Sequence, residues 1–235
     1  MPGQYLLRVR ESRACSAHTR AVVLDLAGSG FQFAAGQAVT ARLENHAVEK
    51  PYSIACTPDQ AAASGCLELL VSVASATASR GHLGFAGPGS MVSVRGPMGA
   101  FVLPDRINER RLLLMAGGSG IAPLRAHLWD ALGRGTPRDI VVVYSARTPE
   151  DFPYGEELGR LRDEGRVTLV QTVTRAAGPG WHGRRGRIDR AWIPELVPDA
   201  ATLVSVCGPG TFVADVGGLL LDAGLPDAQI LRERH

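Results

Sequence analysis

"MAGGSGIAP", residues 115–123, stands between the apolar run "RRLLLMA" and the helical pattern "PLRAHLWDALGRG". A strand that ends in glycines and opens a helix is the turn on which α/β sheets bind nucleotides. The glycines let a phosphate approach the backbone, and the helix N-terminus offers it N–H groups. Gly117, Gly118, Ser119 and Gly120 form this turn and are candidate cofactor contacts. Pro123 stands where the dinucleotide fingerprint has its third glycine, a place in the first helical turn that proline tolerates. The next strand ends "VVVYSARTPED", with no acid at its tip to grip a ribose diol, because Glu150 and Asp151 fall later on the loop. A plain dinucleotide-binding dehydrogenase is disfavoured by these residues.

Downstream of the turn, "DIVVVYSA", "RVTLVQTV" and "ATLVSVC" are continuously apolar, as strands covered on both faces must be. The helical stretches "YGEELGRLRDEG" and "TFVADVGGLLLDAG" alternate with them, which predicts a parallel sheet with right-handed crossovers. Upstream the rhythm is shorter. "QYLLRVR", "RAVVLDL", "AVTARL", "PYSIA", "CLELLVSVA" and "MVSVR" are separated by "AGSG", "AAGQ" and "AGPGS", a pattern that suits a small antiparallel barrel. The segment "LPDRINER" (103–110) separates the two rhythms. The expected architecture has two domains. An antiparallel six-stranded β-barrel covers 1–105, and an α/β parallel-sheet nucleotide-binding domain covers 106–235.

Composition narrows the function classes. With 235 residues the chain can bury a core in each domain. Its 25 basic and 23 acidic residues leave a net charge of +2, which does not point to nucleic acid or a membrane surface. No apolar run approaches the ~20 residues of a membrane span, and "MPGQYLLRVRESRA" lacks the apolar core of a signal peptide. No membrane insertion and a cytoplasmic location are the expectations. Cys15, Cys56, Cys66 and Cys207 are scattered, which argues against zinc or a cysteine-held iron–sulfur cluster. His18, His46, His82, His127 and His182 show no ligand spacing and read as surface or satisfied polar residues.

Five motifs in order, "KPYSIA" (50–55), "GPMGAF" (96–101), "AGGSGIAP", "YSARTPEDFPYGEEL" (144–158) and "VCGPGTF" (206–212), resemble the ferredoxin–NADP reductase superfamily over essentially the whole chain. The resemblance implies a flavin-binding barrel, with FAD as the cofactor and FMN possible, followed by a domain for NADPH or NADH. It further implies that Lys50 holds flavin phosphate beside Pro51, that Tyr52 packs on the isoalloxazine and that Ser53 reaches its hydride-accepting nitrogen. Lysine replaces the family's arginine, so a point charge stands in for a rigid fork. Ser79 matches the family's second phosphate contact, and Arg80 adds charge. Cys207, followed by Gly208, stands where the family's cysteine meets the nicotinamide. Glu233 and His235 resemble the ending in which an acid completes a chain with serine and cysteine and an aromatic covers the flavin. Arg175 and Arg184 in the basic segment "TVTRAAGPGWHGRRGRID" (172–189), and Arg147 after the preceding strand, are the candidates for a 2′-phosphate.

The implied activity is hydride transfer from NAD(P)H to flavin, followed by electron release to an acceptor protein or small molecule. Ser53, Cys207 and Glu233 would be the catalytic residues. Two alternatives stay open. One is a flavin reductase of similar length that uses free flavin as substrate, and the other is a cofactor-holding subunit that does not turn over alone. A Rossmann dehydrogenase without flavin comes third.

Overall fold

The structure, a computed structural model, describes residues 3–73, 82–135, 137, 139–175 and 178–234. Its first sheet has six antiparallel strands in the order β4-β3-β6-β1-β2-β5. They are β1 (Gly3–Ser16), β2 (Thr19–Asp25), β3 (Ala38–Leu43), β4 (Lys50–Ser53), β5 (Cys66–Ser72) and β6 (Met91–Met98). The long β1 serves two partners, with Gly3–Arg8 against β6 and Val9–Ser16 against β2. The register shifts between Val9 and Glu11, and such a bulge bends a strand. That bend brings the edges β4 and β5 together, where Ile54 bridges Leu69 and the Ala55 N–H donates to the Glu68 carbonyl at 2.9 Å. The barrel is thereby nearly closed around Leu7, Val22, Val39, Tyr52, Leu69 and Val94. One helix interrupts it, α1 (Pro58–Ser64), started by a reciprocal Thr57–Gln60 capping box and stopped by Gly65.

The second sheet is parallel throughout, in the order β10-β9-β8-β7-β11-β12. Its strands are β7 (Arg111–Gly117), β8 (Asp139–Ala146), β9 (Thr168–Val173), β10 (Arg184–Arg185), β11 (Thr202–Gly208) and β12 (Ile230–Arg234). Helices α2 (Ile121–Arg134), α3 (Gly155–Asp163), α4 (Ile193–Leu196) and α5 (Gly210–Asp222) cover it. Alternation along β7 explains the unbroken apolar run. Leu112, Leu114 and Ala116 face α2, while Leu113 and Met115 face the cluster of Trp192, Val213 and Leu220. The chain winds outward from β7 through β8 and β9, then returns to place β11 on the other side of β7. Strand order therefore reverses at the C-terminal ends of β7 and β11, where open α/β sheets form their crevice. Among the described residues no helix is long and apolar enough to cross a membrane.

Polar groups join the two sheets. Arg125 of α2 donates to both carboxylate oxygens of Glu157, at 2.8 and 3.1 Å, and to the Ala55 carbonyl beyond β4. Its guanidinium lies 4.7 Å from the Tyr154 ring centroid, and the Tyr154 hydroxyl donates to Glu68 of β5 at 2.8 Å. His127, about two turns of α2 past the glycines, is fully buried. Burial holds its imidazole down from 6.5 to about 4, with the Phe101 carbonyl opposing. The folded chain thus refuses a proton that the unfolded chain accepts, and stability falls as pH drops from 6.5 towards 4. The expected cost is on the order of 3 kcal/mol at the acid end of that window. Urea unfolding followed against pH checks it, and His127→Gln should flatten the slope.

Candidate functional site

The pairing of β12 with β11 sets Glu233 directly beside Cys207. Ser53, the last residue of β4, reaches the same carboxylate from the barrel. Its hydroxyl donates to Glu233 Oε2 at 3.3 Å, and the Cys207 thiol donates to that oxygen at 3.9 Å. Ser53 and Cys207 are buried, and Glu233 is half-buried. Burial raises the Glu233 carboxyl above the ordinary carboxylate range, with the Ser53 and Cys207 hydrogen bonds opposing. Burial likewise raises the Cys207 thiol, and the neighbouring Glu233 charge adds to it. The group is a carboxyl able to keep a proton, a hydroxyl able to relay one, and a thiol that stays protonated.

The rest of the barrel edge is less open than the motif implies. Lys50 and Pro51 are exposed at the start of β4, but Tyr52 is only 9% exposed and packs within the barrel core. Burial pushes its phenol up to about 12, with the Leu83 backbone amide opposing. His82 is buried close by and accepts a hydrogen bond at Nδ1 from the Gly84 N–H at 3.1 Å. Burial and the Lys50 charge both hold its pKa down. Ser79, Arg80 and His235 lie outside the described residues.

The glycine turn and the end of β11 lie backbone to backbone. A Cβ at Gly120 would overlap the carbonyl of Cys207, so only glycine permits this approach. The Tyr144 hydroxyl donates to the Gly118 carbonyl at 3.1 Å and braces the turn from β8. Beside it opens a cleft of roughly 410 Å³ lined by Gly117, Gly118, Ser119, Arg147, Thr174 and Arg187. Phe212 of α5 also lines it, as do Ser16, His18 and Thr19 of the barrel.

The three predicted phosphate arginines are placed differently. Arg147 lines the cleft. Arg175 is exposed next to it, its backbone N–H donating to the Arg147 carbonyl at 3.0 Å. Arg184 is not among the lining residues, because it pairs with Glu195 and lies 4.3 Å from the Trp192 ring centroid. Arg187 lines the cleft instead, in a loose pair with Asp215 at 3.5 Å. Nothing in "HGRRGRID" distinguishes its arginines. The short pairing of β10 with β9 decides which of them faces the crevice.

Residues 6–103 match the family model of the oxidoreductase FAD-binding domain, and 114–217 match that of the oxidoreductase NAD-binding domain. Ferredoxin–NADP reductase B of Sorangium cellulosum is 33% identical over 219 residues, covering 88% of this chain and 87% of the relative. Sulfhydrogenase 1 subunit gamma of Pyrococcus furiosus is 31% identical over 180 residues, covering 75% of this chain and 59% of that one. Among solved structures, a ferredoxin NADP+ reductase from Neisseria gonorrhoeae with bound FAD and NADP superposes with a TM-score of 0.81. It is 20% identical, and 98% of each chain is covered.

Proposed function

Because this chain belongs to the ferredoxin–NADP reductase superfamily and is an NAD(P)H-dependent flavoprotein oxidoreductase, we propose that it serves as the reductase component of an electron-transfer chain. In this reading it takes hydride from NADPH and delivers electrons to an acceptor, a ferredoxin-type protein or a small molecule. Residues 1–105 hold FAD and 106–235 hold the coenzyme. The observation that carries the reading is the meeting of Ser53 from one sheet with Cys207 and Glu233 from the other.

The donor set at the barrel edge fits a flavin. Lys50 supplies a cation for phosphate, and Ser53 a buried hydroxyl for a ring nitrogen. A bound flavin contributes a ring that accepts two electrons with a hydride and releases them one at a time. The chain's own residues do the rest. Glu233, protonated, gives its proton to Ser53 Oγ as that hydroxyl passes its own onward, and the reverse path returns it. Cys207, kept as a thiol, fills the place beside the nicotinamide without contributing a competing charge. Backbone N–H groups of Gly118–Gly120 and the start of α2 would hold the pyrophosphate, while Arg147 and Arg187, which line the cleft, would hold the 2′-phosphate.

The visible spectrum tests this directly. A flavin band retained through desalting, bleached anaerobically by NADPH, and a released flavin with the mass of FAD are expected. A colourless protein that reduces added flavin would support the flavin-reductase alternative, which the exposed point charge of Lys50 favours. Coenzyme and flavin bound without bleaching would support a cofactor-holding subunit. Coenzyme choice has its own test. Arg187→Ala should raise the NADPH KM about 10- to 100-fold and leave the NADH KM alone, as expected for a charge-assisted bond to phosphate. Arg184→Ala, whose side chain is engaged by Glu195, should stay within about 2-fold of the parent.

A further inference from the structure

His127 is a buried titratable group that hydride transfer does not use, and it joins four parts of the chain. Its Nε2 lies 3.1 Å from the Phe101 carbonyl, which can only accept, so Nε2 carries the proton. Its Nδ1 is then a lone pair, and the Ser205 hydroxyl 2.9 Å away donates to it. Both ring nitrogens are satisfied, and both partners are buried. Gly36 crosses over this contact at φ +94°, and a Cβ there would overlap both His127 Nε2 and the Phe101 carbonyl. The Phe101 and His127 rings also meet, with centroids 4.8 Å apart.

Each arm of this join leads to a site residue. Along β11, Ser205 is two residues from Cys207 and shares its face of the sheet. On the barrel side, Gly36 precedes Gln37, whose carbonyl accepts from the Ile54 N–H at 2.9 Å, one residue past Ser53. Gln37 also donates through its side chain to the Gly99 carbonyl at 3.2 Å, and Gly99 faces the Glu233 carboxylate. The barrel segment bonded to the strand of Ser53 and the strand that carries Cys207 therefore meet at one imidazole.

We infer that His127 is a positioning residue whose hydrogen bond to the Phe101 carbonyl sets the separation between Ser53 on the barrel and Cys207 and Glu233 on the parallel sheet. This rests on the oxidoreductase reading above, since that gap is what coenzyme and flavin would share. Hydride transfer demands close approach of the reacting atoms, so a small error in the gap is costly.

Isosteric variants separate the two bonds. In His127→Gln the terminal amide nitrogen stands where Nε2 stood and keeps the Phe101 bond. In His127→Asn the amide stands at the Nδ1 position and keeps only the Ser205 bond. At saturating NADPH, stopped-flow flavin reduction should fall at least 10-fold in His127→Asn, with a larger deuterium isotope effect. His127→Gln should stay within 3-fold of the parent, and NADPH affinity should hold within 2-fold in both. Amide hydrogen exchange without coenzyme should rise at 99–103 in the asparagine variant alone. Equal rates in both variants and the parent, whatever the exchange at 99–103, would overturn the inference, as would equal slowing in both. Parent protein that reduces no flavin would overturn the functional reading and with it the catalytic role of His127, while the exchange data would still report on the join.

Discussion

Glu233→Gln will lower turnover roughly 100-fold at saturating coenzyme and acceptor while flavin stays bound, a loss typical of removing a positioned acid or base. Glutamine keeps the shape of the side chain and can still accept from Ser53, so only the proton and the charge are removed. In the parent, burial raises the Glu233 carboxyl. If the protonated acid is the working form, activity declines as pH rises through that elevated value, and the glutamine variant shows no such decline. Stability moves the other way. A carboxyl whose folded pKa is raised costs stability once ionised, so at neutral pH the variant should unfold no more easily than the parent. Parent-like turnover with an unchanged pH profile would remove Glu233 from the chemistry. Ser53→Ala should share the defect, because the hydroxyl is the only described side chain from the barrel that hydrogen-bonds this carboxylate.

The largest stability loss is expected at Arg125→Leu. The Arg125 and Glu157 side chains are 12% and 16% exposed, so the pair is nearly out of water. Removing the cation leaves a carboxylate buried with the Trp129 indole N–H as its remaining side-chain donor, and strips the Ala55 carbonyl of its partner. Breaking one side of such a pair costs about 3–5 kcal/mol, which for a chain of this size lowers Tm by roughly 10 °C. The double variant Arg125→Leu/Glu157→Leu should recover much of the loss, because no uncompensated charge is left inside. Thermal unfolding of the three proteins measures this. A single variant as stable as its parent would show that the pair is solvated after all. Ala55 is two residues past Ser53, so the single variant should also bind coenzyme normally yet turn over more slowly.

Local chemistry makes much of this protein legible in its sequence. The change from short alternating runs to continuous apolar runs near residue 105 reflects strands wetted on one face against strands covered on both, and both sheets follow it. The turn at 117–120 was readable because glycine has few other uses between a strand and a helix. Helix α1 does not stand out in the sequence, although Thr57, Pro58 and Gln60 spell its capping box, because seven residues show too little periodicity beside the strands around them. Tyr52, which the motif assigns to the flavin ring, is 9% exposed and also belongs to the barrel core. An aromatic in a strand serves either purpose with the same local sequence.

What the tertiary structure alone decided is which distant segments meet. "LRERH" has the composition of a charged tail, and only the pairing of β12 (Ile230–Arg234) in register with β11 sets Glu233 beside Cys207. Ser53 and Glu233 are separated by 180 residues, and no local pattern encodes their hydrogen bond. The same holds for Arg184 and Arg187, three residues apart in one basic run, of which one is engaged by Glu195 and the other lines the cleft. His127 reads as an unremarkable polar residue on a helix until Phe101 and Ser205 close around it. Periodicity and turn chemistry act over a few neighbours and so can be read along the chain. Strand order and register minimise exposed apolar surface and unpaired backbone over the whole fold, and they become visible only when the fold is assembled.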